Sequence, residues 1–220
     1  DKRYLNKNDF DDAASLEMNA FPETPADAAI IADNKTGARM VDFTGDVFNS
    51  ASPAYYHRTI GGYNPAKLRR YQDIIEYGLS YDFQLLNKGG FANANFLNML
   101  NTKYLKQSAE ANGVIHNPNA LGNAWFVNNL EIVNTPEDEI LKVRNINPAQ
   151  TAIVNHEFSK YIDGFSANTD TSAQNETRFI RAIDTKDPMK IEYTFKSPKN
   201  EFVVFSEVIY RPNEDWISYI

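Results

Sequence analysis

The 220-residue sequence has no cysteine, which excludes a disulfide framework, a thiolate metal site and a cysteine nucleophile. Redox compartment therefore cannot be read from sulfur. Histidine is scarce too: His57, His116 and His156 lie far apart, with no spacing that would put two imidazoles on one helical face, so no metal is expected. No window approaches the run of about 18 apolar residues that spans a membrane. The densest, Phe202-Val203-Val204-Phe205, soon meets Ser206 and Glu207, and the chain as it stands reads as soluble. Positive charge is in the minority, 22 Lys and Arg against 29 Asp and Glu, for a net −7. That balance argues against nucleic acid as a partner and against docking on anionic lipid through an overall positive field. A Walker loop, Gly-x-Gly-x-x-Gly and Gly-x-Ser-x-Gly are all missing, so nucleotide and hydrolase readings lack a signature, no cofactor is expected and no catalytic residue stands out.

Hydrophobic residues make up 42% of the chain and aromatics 13%, enough apolar surface to offset chain entropy in a core. The start, Asp1-Lys2-Arg3-Tyr4-Leu5, has neither an initiator Met nor the apolar stretch of a signal peptide. The end, Trp216-Ile217-Ser218-Tyr219-Ile220, stops in a β-prone run. Both read as cuts out of a longer protein.

The periodicities predict an α+β fold, with a mixed helix and strand N-terminal two-thirds and a mainly antiparallel β C-terminal part. Residues 1–23 show no sustained period and read as an arm or membrane-proximal segment, 24–148 as a mixed α/β region and 149–220 as a β-rich meander, all of it one domain or two subdomains meeting near Pro148. Thr24, Pro25 and Asp27 form a cap, proline and capping-box signature for a helix over 25–33. Residues 38–44 read as a strand. Asn64 and Pro65 predict the start of a helix carrying Leu68, Tyr71, Ile74, Ile75 and Leu79 at helical spacing. A helix over 93–100, a strand over 103–106 and a polar loop over 107–122 follow. Residues 125–127 and 130–133 read as a strand interrupted at Asn128-Asn129 by a bulge or a tight turn. Residues 136–144 should be helical behind Thr135, and 151–155, 177–184, 189–196 and 201–210 should be strands. A polar loop is expected over 166–176, where Asn175-Glu176-Thr177 matches a glycosylation sequon of little weight.

One local pattern points to binding. The helix expected after Asn64 opens with Lys67, Arg69 and Arg70, cations at the end where the helix dipole disfavours them by about 0.3–1 kcal/mol each. A Gly61-Gly62 turn, free backbone N–H groups and converging guanidinium groups are the parts of a phosphate or diphosphate site, with His57, Arg58, Tyr63 and Tyr71 close enough in sequence to add hydrogen bonds or a stacking face. The alternative is that the cations pair with Asp73, Glu76 or acids elsewhere. Trp125, Trp216 and the pair Tyr55-Tyr56 offer flat faces for a pyranose, or else ordinary core and cross-strand packing.

Several segments in register resemble a known family. Asp1-Lys2-Arg3-Tyr4-Leu5, Ile60-Gly61-Gly62-Tyr63, Lys67-Leu68-Arg69-Arg70-Tyr71-Gln72-Asp73, Leu97-Asn98-Met99-Leu100-Asn101-Thr102-Lys103-Tyr104 and Ala120-Leu121-Gly122-Asn123-Ala124-Trp125-Phe126-Val127 are similar to the extracytoplasmic portion of YfhO-like bacterial integral membrane proteins. Phe205 to Tyr210 followed by Trp216 resembles a strand and turn late in that portion, although Arg211-Pro212-Asn213-Glu214-Asp215-Trp216 is longer than the family's turn and lacks its glycine. The resemblance implies a polytopic membrane glycosyltransferase-like parent that uses lipid-linked sugars in cell-envelope assembly. It also implies a location on the extracytoplasmic, periplasmic side of the bacterial cytoplasmic membrane. The family's acidic catalytic residue would lie in a loop between membrane helices outside this sequence, so no catalytic residue is carried over.

On this reading the chain positions a polyprenyl-phosphate-linked sugar or an envelope glycan beside the transmembrane region of its parent and is not catalytic alone. The rival is a noncatalytic glycan-binding or protein-interaction module at the cell envelope. A free-standing hydrolase is the weakest alternative, because no nucleophile or acid–base pair is visible.

Overall fold

The computed structural model describes residues 6, 9, 10, 12–162, 179–183, 190–198 and 200–207. It is a mixed α+β structure in two compact units, which the chain enters in turn: Asp1–Asn64 with Tyr104–His116, and Pro65–Lys103 with Asn117–Ile220. Among the described residues, no helix is long and apolar enough to cross a membrane.

The first unit begins with a helix where an arm was expected. In α1 (Ala13–Ala20), the Asp12 carboxylate caps by accepting the Ser15 N–H, a local signal that the absence of an apolar period had masked. Helix α2 (Pro25–Asp33) has the predicted capping box, Thr24 accepting from the Asp27 N–H while Asp27 accepts from the Thr24 N–H, so two of the end's orphan donors are satisfied. Asn34 then brackets Ala38 with two hydrogen bonds of 2.8 and 2.9 Å and turns the chain into β1 (Arg39–Asp42). Strand β2 (Thr102–Lys106) lies between β1 and β3 (Val114–His116), antiparallel to β3 with Tyr104 opposite His116. β3 corrects the expectation that 107–122 is loop throughout; three residues are too few for an alternation to register. Ile30, Ala38, Met40 and Tyr104 form the core, with Val114 packed against it. Full burial stabilises each larger apolar side chain by about 1.5–3 kcal/mol. Met40 also exchanges backbone hydrogen bonds with Arg58 and Ile60, which seats residues 57–60 against β1. The Gly61-Gly62 turn is needed as expected: a Cβ at Gly61 would strike the Val47 carbonyl oxygen, and Gly62 has φ +107°.

In the second unit the expected helix is present but starts late. Asn64 does not cap it; residues 65 and 66 form a turn, Leu68 is extended, and α3 (Arg69–Asp73) begins without a side-chain cap. Asn-Pro is as much a turn signature as a cap signature, and here the turn prevails. α3 runs through a π-helical turn (Ile74–Leu79) into α4 (Ser80–Leu86). Gly78 in that turn lies so close to the Phe96 ring that a Cβ would sit 2.7 Å from it. α5 (Asn95–Met99) packs alongside, and Ile75, Leu79, Phe96, Leu97 and Leu100 are buried.

Residues 124–133 do not form one interrupted strand: β4 (Ala124–Val127) and β5 (Asn129–Val133) belong to different sheets. β5 pairs in parallel with β6 (Thr151–Asn155), through a crossover containing α6 (Pro136–Val143). A parallel pair needs such a crossover, and this corrects the expectation that β6 opens an antiparallel meander. The later strands are antiparallel, β7 (Phe179–Ile183) with β8 (Glu192–Lys196), and β9 (Phe202–Phe205) with β4. The sequon and the loop expected at 166–176 lie outside the described residues.

Candidate functional site

Among the described residues, a polar cleft lies in the first unit. It has a volume of about 270 Å³ and is bordered by Thr24, Asp27, Asp42, Asp46, Tyr56 and Lys106, with Phe21 and several backbone and hydroxyl groups around them. That volume is below the ~300–1,000 Å³ of pockets for drug-sized ligands, leaving room for a single ring.

The floor is a buried ion pair. Lys106 Nζ donates to both oxygens of Asp27, at 2.8 and 2.9 Å, from a residue 79 positions away in sequence. The two residues are only 6% and 5% exposed. The Thr24 hydroxyl reaches Asp27 at 2.6 Å, and His57 Nε2 lies 2.9 Å from its other oxygen. Burial alone would raise the Asp27 pKa, but the hydrogen bonds from Lys106, Thr24 and His57 outweigh it and hold the carboxyl down, from the ordinary 3.8 to about 2. A carboxylate favoured in the folded state stabilises it above the unfolded pKa, and loses that stabilisation as pH falls toward the folded one. For Asp27 this amounts to about 2 kcal/mol, fully present above pH 4 and fading toward pH 2. So depressed a carboxyl, already bonded on both oxygens, is ill suited to take up a proton near neutrality.

The walls supply acceptors. Asp42 receives the Thr44 N–H and hydroxyl on Oδ1, while its Oδ2 lies 3.5 Å from Lys106, longer than a good hydrogen bond. Asp46 holds the following turn, accepting from the Asn49 side chain and from the Phe48 and Asn49 N–H groups, and these lower its pKa. The Tyr56 hydroxyl donates to the Phe21 carbonyl at 2.6 Å, and the Phe21 ring stacks on Tyr55 with centroids 4.5 Å apart. Three carboxylates and one ammonium thus border the cleft, and each carboxylate already accepts hydrogen bonds from the protein. Such a cleft is matched to a ligand that brings its own hydroxyl donors and an apolar ring face. Among the described residues, no group of three or more His, Asp or Glu side chains is placed to hold a metal.

The residues singled out in sequence fall in both units. His57, Arg58 and Tyr63 are in the first: His57 is buried against Asp27, Arg58 donates to the Gly37 carbonyl at 3.2 Å, and Tyr63 is exposed. Lys67, Arg69 and Arg70 are in the second. Arg69 pairs with Asp73 one turn along the same helix at 3.0 Å, and Arg70 lies 3.9 Å from Glu157. Both guanidinium side chains remain more than two-thirds exposed. Trp125 is buried, its indole N–H donating to the Pro148 carbonyl at 2.8 Å, so it packs within the second unit and presents no open face. Trp216 lies outside the described residues. Of the aromatic candidates, Tyr56 borders the cleft.

Asp27 was legible only as a capping acid, and Lys106 not at all as its partner, because nothing local links positions so far apart. Asp82 was missed as well. It sits on the apolar stripe of Ile75, Leu79 and Leu86, and an acid in that register was the available signal. Comparison with protein-family models, with curated proteins and with solved structures finds no match.

Proposed function

We propose that this chain is an extracytoplasmic binding part of a polytopic, YfhO-like membrane protein of bacterial envelope glycan assembly, and that it holds a sugar unit without catalysing transfer itself. The acid-lined cleft of the first unit supports this reading: Asp42 Oδ2, 3.5 Å from Lys106, is the carboxylate oxygen best able to accept a sugar hydroxyl, Tyr56 and Phe21 border the cleft where a pyranose C–H face would lie, and three acids to one lysine disfavour a phosphate. Asp27 supports a binding role over a catalytic one, since it is locked in ionised form by Lys106. The glycosyltransferase-like parent rests on the sequence resemblance, which places the reacting carboxylate elsewhere.

A second reading has one observation of its own. Arg69 and Arg70 keep exposed guanidinium groups despite their ion pairs, and exposed pairs of this kind contribute only about 0–1 kcal/mol, so both remain able to meet the phosphate of a polyprenyl-phosphate-linked sugar. One titration separates the two. Neutral mono- and disaccharides, and separately a short-chain polyprenyl phosphate, are added to the 15N-labelled chain while amide shifts are followed. The cleft reading expects neutral sugars to move Thr44, Val47 and Ser50, with the response abolished by Asp42→Ala at temperatures where the variant is still folded. The phosphate reading expects shifts around Arg69 and Arg70 that the double substitution to Glu removes. No saccharide response up to tens of millimolar would overturn the cleft reading.

A further inference from the structure

Asp82 lies in α4 of the second unit. It is 1% exposed, although a carboxylate in such a place ordinarily needs a full set of donors. One oxygen, Oδ2, accepts the Leu97 N–H at 2.8 Å, and the Phe96 N–H also bonds to the carboxyl. The other oxygen, Oδ1, is buried with no hydrogen-bond partner. α5 is thereby tied to α4 through one side chain, at the point where Phe96 presses on Gly78 of the π-helical turn.

Few charges bear on this group. Arg144, just beyond α6, acts on it electrostatically and is itself held by the Tyr77 carbonyl and the Tyr81 ring, 4.7 Å from its guanidinium carbon. α5 carries no ionisable residue, and Glu76 in the π-helical turn is exposed. We propose that Asp82 is a pH-sensitive latch: protonated, it closes α4 onto α5, and ionised, it loosens that contact so that water can reach Oδ1.

The direction follows from burial. Desolvation outweighs the two N–H bonds and the Arg144 charge and pushes the Asp82 carboxyl up to about 7. A folded state that favours the proton is most stable at low pH. It loses stability as pH rises from the unfolded carboxyl value near 3.8 to the folded value near 7, and changes no further above that. The α4–α5 contact is thus linked to the proton concentration it meets.

The test uses the whole 220-residue chain. The Asp82 carboxyl carbon is titrated by NMR from pH 3 to 9, and amide exchange at Phe96 and Leu97, corrected for intrinsic base catalysis, is followed from pH 5 to 8.5 in wild type and Asp82→Asn. Expected are a carboxyl midpoint near pH 7, a loss of at least tenfold in protection at the two amides between pH 5 and 7 that levels off above it, and a flat profile in the variant. A midpoint below pH 5, or the same loss of protection in Asp82→Asn, overturns the proposal. Should the variant not fold, the wild-type titration and amide exchange decide together, and a midpoint near pH 7 with unchanged protection at Phe96 and Leu97 overturns the proposal.

Discussion

A single lysine decides whether the first unit can keep Asp27 inside. Lys106 donates to both carboxylate oxygens and is as buried as its partner; without it, the desolvation of Asp27 has only Thr24 and His57 against it. Removing one member of a buried pair leaves an uncompensated charge, and Lys106→Met is expected to cost about 3–5 kcal/mol. Asp27→Asn should cost less, because the buried ammonium keeps the Asp42 carboxylate 3.5 Å away. The double variant is expected to be more stable than either single one, because the two losses share one cause. Urea unfolding at pH 7 checks this, and a double variant as unstable as the sum of the singles would show that the pair contributes through packing instead. Trp125 marks the limit of residue-level reading in another way. Its composition argument allowed both a stacking face and core packing, and the choice was made by a carbonyl at Pro148, 23 positions away.

At the scale of elements, the local signatures were read correctly at α2 but not at α1 or α3. The α2 boundaries follow from Thr24, Pro25 and Asp27 within four residues of one another, and each of those interactions is present. The false start at Asn64 has the same origin, since a local signature shared by caps and turns cannot say which neighbours will complete it. The π-helical turn was not read from the sequence: the Ser80 N–H and hydroxyl both donate to the Ile75 carbonyl five residues back, and within the turn Gly78 leaves no room for a Cβ beside the Phe96 ring. Gly78→Ala is therefore instructive. Helix propensity alone favours alanine by about 1 kcal/mol, whereas overpacking against a buried ring costs about 1–3 kcal/mol, so a net loss of up to about 2 kcal/mol is expected, toward the upper end because Phe96 is only 6% exposed. Thermal melting of the variant checks the sign. A gain in stability would mean that the ring yields more readily than its burial implies.

At the scale of the whole molecule, the first unit is discontinuous in sequence, and this is why its site could not be assembled from local patterns. Residues 1–64 supply α1, α2 and β1, but β2 and β3, the core ring Tyr104 and the counter-ion Lys106 arrive only with 104–116, after the chain has passed through 65–103 of the second unit. The dependence is also backbone-deep: the Ala26 N–H donates to the Ala109 carbonyl, and the Phe43 N–H to the Lys106 carbonyl. A fragment of residues 1–64 would keep the capping box and the Gly61-Gly62 turn, yet it would leave Met40 and Ile30 without Tyr104, β1 without its neighbour and Asp27 without its ammonium. Fewer than about 70 residues rarely hold together unless their core is complete. This fragment is expected to show the narrow amide dispersion of an unfolded chain in a 15N-correlation spectrum. Adding a synthetic 104–116 peptide in excess should restore dispersion if those contacts are sufficient. A dispersed spectrum from residues 1–64 alone would show instead that the helices and β1 form a core by themselves, and that the long-range strands serve chiefly to bring Lys106 to the floor of the cleft.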